Sequence, residues 1–172
     1  SPRVIDVFNG DADGICALHQ LRLADPADSE LVTGPKRDIS LLKRVKAQAG
    51  DRVTVLDIAL SKNRDALDKL LEAGAQVRYF DHHQPGDIPA HPHFEPHIDT
   101  DANVCTSLLV NQYLQGKQLA WAVTAAFGDY LADASFPHAP GPDDFVRSLG
   151  IRSMIVAPLI VGETVFGALG VH

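Results

Sequence analysis

Three residues with the chemistry to bind a metal stand together in Asp81-His82-His83. They follow a short apolar run, Val77-Arg78-Tyr79-Phe80, whose composition predicts a buried strand. Two earlier apolar runs end in the same manner. Val4-Ile5-Asp6-Val7-Phe8 leads into Asn9-Gly10-Asp11-Ala12-Asp13-Gly14, and Val53-Thr54-Val55-Leu56 stops at Asp57. Carboxylates and imidazoles at three strand ends suit a cation better than a packed core. In an open α/β sheet that edge is where ligands bind.

Asp11 and Asp13, two apart between glycines, can share one small volume only if a cation or a raised pKa offsets their repulsion. The flanking glycines allow close backbone approach, and Gly14 precedes a helix whose N-terminal amides suit a phosphate. An Asx-type turn capping that helix is the competing reading. Asp57 by itself is weak evidence, since an aspartate after a strand is more often a helix cap or a surface residue. Asp129, in Phe127-Gly128-Asp129, adds a late carboxylate that also fits a solvent-facing helix end. The weight lies in the set.

The elements needed to position these groups follow from pattern. Strands are expected at 3–8, 30–33, 52–56 and 76–80, with a short edge strand at 94–98. Helices are expected at 15–23, at 41–49 capped by Asp38 or Ser40, and at 62–73 capped by Ser61. Two more are expected at 104–114, capped by Asp101 or Asn103, and at 118–131, interrupted near Gly128. Cys105-Thr106-Ser107, at the start of the first of these, read as simple capping residues, with amides and hydroxyls that meet a phosphate as the alternative. The alternation predicts an α/β fold, a Rossmann-like parallel sheet with helices on both faces. Residues 1–134 form this core, and the Pro- and Gly-rich 135–146 read as a linker. Residues 147–172 read as a β-hairpin packed on the core or on a second copy, giving a homodimer.

With 172 residues, the chain can bury an ordinary domain core. The net charge of −7 argues against coating duplex nucleic acid, which needs a basic surface. No apolar stretch is long enough to span a bilayer, so no membrane role is expected. Two cysteines make no disulfide framework, and no basic-then-apolar leader opens the chain. A cytoplasmic, processed or trimmed protein is expected.

Asp11-Ala12-Asp13-Gly14, Asp57, Asp81-His82-His83 and Gly128-Asp129 resemble the four motifs of the DHH phosphoesterase superfamily, which includes RecJ-type exonucleases. The resemblance covers about residues 1–133. It implies that Asp11, Asp13, Asp57, Asp81, His82 and Asp129 hold one or two Mn²⁺ ions, Mg²⁺ being an alternative. It implies that His83 faces the substrate phosphate and acts with Asp81 in catalysis, with Gly14 and Asn9 near the phosphate. The implied reaction is hydrolysis of a phosphodiester or phosphoanhydride in a small nucleotide or short single strand, by metal-activated water. Mixed carboxylate and imidazole ligands suit Mn²⁺, and two ions about 4 Å apart can clamp both reacting oxygens.

The pattern departs from the family in places. Val7 and Asn9 occupy positions where an upstream ligand is usual, and Asp133 competes with Asp129 for the fourth motif. No glycine-rich substrate-gripping motif follows. Instead residues 147–172 resemble part of a GAF domain, which suggests a chimera. A non-catalytic scaffold is the alternative reading.

Overall fold

The computed structural model describes residues 1–132, with side chains as far as Gly128, and the backbones of two later strands. Five strands form one parallel sheet: β1 (Val4–Asn9), β2 (Glu30–Gly34), β3 (Arg52–Leu56), β4 (Gln76–Asp81) and β5 (Phe94–Ile98), in the order β2-β1-β3-β4-β5. This is a doubly wound order with its switch point between β1 and β3. The helices are α1 (Ala12–Ala24), α2 (Leu60–Glu72), α3 (Thr106–Tyr113) and α4 (Leu119–Ala132). β6 (Ile155–Val161) pairs antiparallel with β7 (Thr164–Val171) as the expected hairpin. The linker at 135–146 and Asp133 lie outside the described residues, as do the side chains of Asp129 and of the hairpin. Among the described residues no helix is long and apolar enough to cross a membrane.

Strand alternation sorts the core into two layers. Ile5, Val7, Val53, Val55, Val77 and Tyr79 point to one face, where Leu60, Leu67, Leu70 and Leu71 of α2 cover them. Phe8, Leu56 and Phe80 point to the other, against Ala17, Leu18 and Leu21 of α1 and Leu109 and Val110 of α3. Each fully buried aliphatic or aromatic side chain contributes about 1.5–3 kcal/mol of transfer free energy. Helices on both faces thus follow from two apolar faces in β1, β3 and β4. Asp6 is a buried charge within β1. Its carboxylate accepts from Arg22 Nε at 2.9 Å and Arg22 Nη2 at 2.6 Å, and this pair ties β1 to the last turn of α1.

Four expectations are corrected. In place of a helix over 41–49, only a 3-10 turn, Leu41–Arg44, forms. The backbone groups a longer helix would use are taken elsewhere: Lys46 O accepts from Arg3, and Gln48 N donates to Asp51 at 2.9 Å. Helix α1 begins at Ala12, so Gly14 lies inside its first turn rather than ahead of it. Ser61 does not cap α2. The N-cap is Ala59, and the Asn63 amide bonds Ala59 O at 3.0 Å and Ile39 O at 2.8 Å. Nor does α4 break at Gly128, because one glycine costs only about 1 kcal/mol and Ala122, Val123, Ala125 and Phe127 are buried.

The start of β3 depends on Asp51. Hydrogen bonds from the Arg3 backbone N–H (2.8 Å) and the Gln48 N–H hold its carboxyl down at about 2, below the ordinary 3.8. A carboxyl with a depressed pKa stabilises the fold fully above its unfolded value, and that contribution disappears as the pH falls through the folded one. Asp51→Asn is therefore expected to lower the melting temperature at neutral pH. The gap to the parent protein should close as the pH is taken from about 3.8 to about 2. A gap independent of pH across melting curves would refute this role.

Candidate metal centre

Parallel register builds the centre. Phe8, Leu56 and Phe80 lie side by side across β1, β3 and β4. The next residue on each strand is therefore Asn9, Asp57 or Asp81, and neighbouring strands are about 4.8 Å apart. Asp57 leaves β3 with φ +60, a left-handed conformation that aspartate tolerates better than most residues. Its N–H donates to Phe80 O at 3.0 Å, and the buried Tyr79 hydroxyl donates to Ile58 O at 2.7 Å. The turn is thus fixed from both sides.

Side chains converge on this row. His82 Nε2 lies 3.3 Å from Asp57 Oδ1 and 3.9 Å from Asp13 Oδ2. His83 Nδ1 is 2.6 Å from Asp81 Oδ1, which fixes the ring and turns its other nitrogen away from that carboxylate. Asp57, His82 and His83 each bring a ligand atom within 4.8 Å of the other two. Asp13, Asp57 and Asp81 are buried, whereas His82 and His83 are partly open to solvent.

Asp11 serves elsewhere in the fold. Its Oδ1 accepts from Gly14 N at 3.1 Å as the N-cap of α1, and its Oδ2 lies 3.5 Å from Lys36 Nζ. The capping reading of the D-x-D loop therefore describes Asp11, while Asp13 reaches the centre. Asn9 sits at the edge with a buried Oδ1 that has no hydrogen-bond partner among the described residues, and Asp81 Oδ2 is in the same state. Buried polar atoms are normally satisfied. Two orphaned oxygens at the rim that carries the imidazoles are therefore a notable departure. Asp129 lies in α4, and its side chain is outside the description.

Cys16 is buried in a small cluster with Cys105 and Ala125. Burial pushes its thiol up to about 12, and the charges of Asp13 and Asp11 add to the shift. Burial and the neighbouring carboxylates thus hold it as a thiol packed in the interior.

No family model matches this chain, and no curated protein matches it. Among solved structures it is similar to an exonuclease RecJ bound to manganese, at 20% identity and a TM-score of 0.49, over 74% of this chain and 38% of that one. It is also similar to RecJ in complex with Mn²⁺ from Thermus thermophilus, at 21% identity and a TM-score of 0.47, over 74% of this chain and 21% of that one. The chain spans well under half the length of either protein. These comparisons lend no support to the GAF likeness of residues 147–172 or to a chimera.

The capping expected around α3 is corrected. Neither Asp101 nor Asn103 caps the helix, since Asp101 binds Asn103 N at 2.8 Å within its own turn. Helix α3 is capped across the fold, with Thr106 N donating to Asp13 Oδ2 at 2.8 Å and Ser107 N to Asp13 Oδ1 at 2.7 Å. The Thr106 hydroxyl donates to Asp57 Oδ1 at 3.1 Å, and the Ser107 hydroxyl to Asp13 O at 2.8 Å. Thr106 and Ser107 thus belong to the centre itself. The only signal available in the sequence is two hydroxyl residues opening an apolar helix.

Gly14 is required for close approach. A Cβ there would lie 2.0 Å from Asn9 O, a backbone atom that cannot step aside. Gly14→Ala is expected to destabilise the protein by about 1–3 kcal/mol, the usual cost of overpacking. Urea unfolding would show it as a lower midpoint, and an unchanged midpoint would mean that the β1–α1 turn yields easily.

Proposed function

We propose that this chain carries the catalytic core of a Mn²⁺-dependent phosphoesterase of the DHH type, acting on a phosphodiester or phosphoanhydride of a small nucleotide-type substrate. The observation that carries the reading is the convergence of Asp13, Asp57 and His82 on one point at the C-terminal edge of the sheet, with His83 beside them. The residues fit such an ion. Asp13, Asp57 and His82 supply a mixed carboxylate and imidazole set, His83 stands beside them, and the buried oxygens of Asp81 and Asn9 lie on the same rim. Asp57, His82 and Asp13 would hold the ion, with Asp81 and Asp129 completing the set by the motif resemblance. When bound, it supplies a Lewis acid for the phosphoryl group.

The chain's own residues do the rest. Asp81 orients His83, so the imidazole can hold or pass a proton at the phosphate oxygens. The half-exposed ammonium of Lys36, at the mouth of the D-x-D loop, attracts an anionic substrate. The overall net charge of −7 favours small or single-stranded substrates over duplexes.

A scaffold reading has one observation in its favour. Both oxygens of Asp13 already accept backbone N–H groups, and Asp11 caps α1. A panel of short oligonucleotides and activated phosphodiesters, assayed with Mn²⁺ and again with EDTA, separates the two. Turnover that needs Mn²⁺ is expected. Folded protein that turns over nothing in the panel would leave the scaffold.

A further inference from the structure

We propose that Thr106 is a positioning residue for Asp57, an inference that rests on the metal-site reading above. Thr106 is fully buried and meets two aspartates of the centre, Asp13 and Asp57. Its backbone N–H donates to Asp13 Oδ2 at 2.8 Å, and its hydroxyl donates to Asp57 Oδ1 at 3.1 Å. Asp57 Oδ1 is also the oxygen 3.3 Å from His82 Nε2. The hydroxyl therefore sets the rotation of the one carboxylate that links β3 to the imidazole on the β4 side. The ladder holds the Asp57 backbone through its N–H to Phe80 O, but the left-handed φ takes the side chain out of the strand's alternation. A buried hydroxyl donor supplies the orientation that the ladder does not. Donors of this kind, one step removed from an ion, usually change its affinity by about 10–100-fold.

The separation of roles within one residue makes a clean test. Thr106→Val keeps the shape and the backbone N–H to Asp13 but loses the hydroxyl, whereas Thr106→Ser keeps the hydroxyl. Calorimetric Mn²⁺ titration of the full chain reads the affinity without any substrate. Thr106→Val is expected to bind Mn²⁺ about 10–100-fold more weakly, with Thr106→Ser close to the parent protein. In an Asp57→Gly background, which tolerates φ +60 but leaves the hydroxyl no carboxylate to orient, the same valine should add little further loss, because the two groups act as one unit. Thr106→Ala provides a second hydroxyl-free variant should the valine not fold, and near-UV circular dichroism reports folding for each.

Parent-like affinity in a folded Thr106→Val or Thr106→Ala overturns the proposal and leaves the metal site standing. An equal loss in the Asp57→Gly background also overturns it, by showing a general structural effect. Loss of the folded state in both hydroxyl-free variants overturns it in favour of a purely structural role. A parent protein that binds no Mn²⁺ overturns the metal-site reading and this inference together.

Discussion

Asp57→Asn is expected to lower Mn²⁺-dependent hydrolysis by about 10²- to 10³-fold while the protein stays folded. The expected loss corresponds to about 3–4 kcal/mol of transition-state stabilisation, in the range that a metal acting as a Lewis acid supplies. Asparagine is close in shape and tolerates positive φ as well as aspartate does, so the turn at φ +60 survives. Its amide can still accept from the Thr106 hydroxyl, which in the parent donates to Asp57 at 3.1 Å. What goes is the negative charge beside His82, and with it the electrostatic attraction for a cation. Mn²⁺ titration should show weaker binding in parallel with the lost rate. A variant that hydrolyses at the parental rate would place the reaction somewhere other than this rim.

Asp13→Ala is expected to cost about 3–5 kcal/mol of stability, a large share of the 5–15 kcal/mol that holds a typical domain together. Asp13 is fully buried, and its two oxygens cap α3 through the N–H groups of Thr106 and Ser107. Alanine leaves both donors without that acceptor, at about 1–3 kcal/mol each. It also removes a negative charge from the positive end of the helix dipole. Asp13→Asn should fall between alanine and the parent, since one amide oxygen can still accept while the NH₂ group faces a second donor. Urea denaturation followed by circular dichroism measures all three. An alanine variant within about 1 kcal/mol of the parent would show that α3 is held by its apolar face alone, through Leu109 and Val110.

The two expectations meet in one physical feature. The acidic groups of this centre also support the fold, so loss of activity and loss of stability have to be measured separately. Asp57 is suited to the first measurement and Asp13 to the second, because Asp57 ends a strand that the ladder already holds. Asp13 instead joins two helices that lie far apart in sequence.

Much of the architecture was legible in the chain. Apolar runs of the right length at Val4–Phe8, Val53–Leu56 and Val77–Phe80 specify strands because β-branched and aromatic residues fit a pleated, buried surface. Helical stretches between them imply parallel crossovers, and parallel strands place all their C-terminal ends on one edge. From these local rules alone, Asp57 and Asp81-His82-His83 had to share a rim. The glycine stop at Gly74, with φ +83, follows from the same local chemistry.

Other features were settled only in three dimensions. The expected helix over 41–49 gives way to a short turn because Arg3 and Asp51 take its backbone partners. The cap of α3 comes from Asp13, 93 residues before Thr106, where sequence rules look only one to three residues away. The D-x-D pair reads as two equivalent ligands, yet the folded chain gives Asp11 to the α1 cap and turns Asp13 inward. Residue order by itself determined which groups stand at the strand ends, because strand and helix signals are local. Which of those groups meet, and which are spent on holding helices, was decided by strand order and buried hydrogen bonding, since both depend on contacts between segments that no local pattern records.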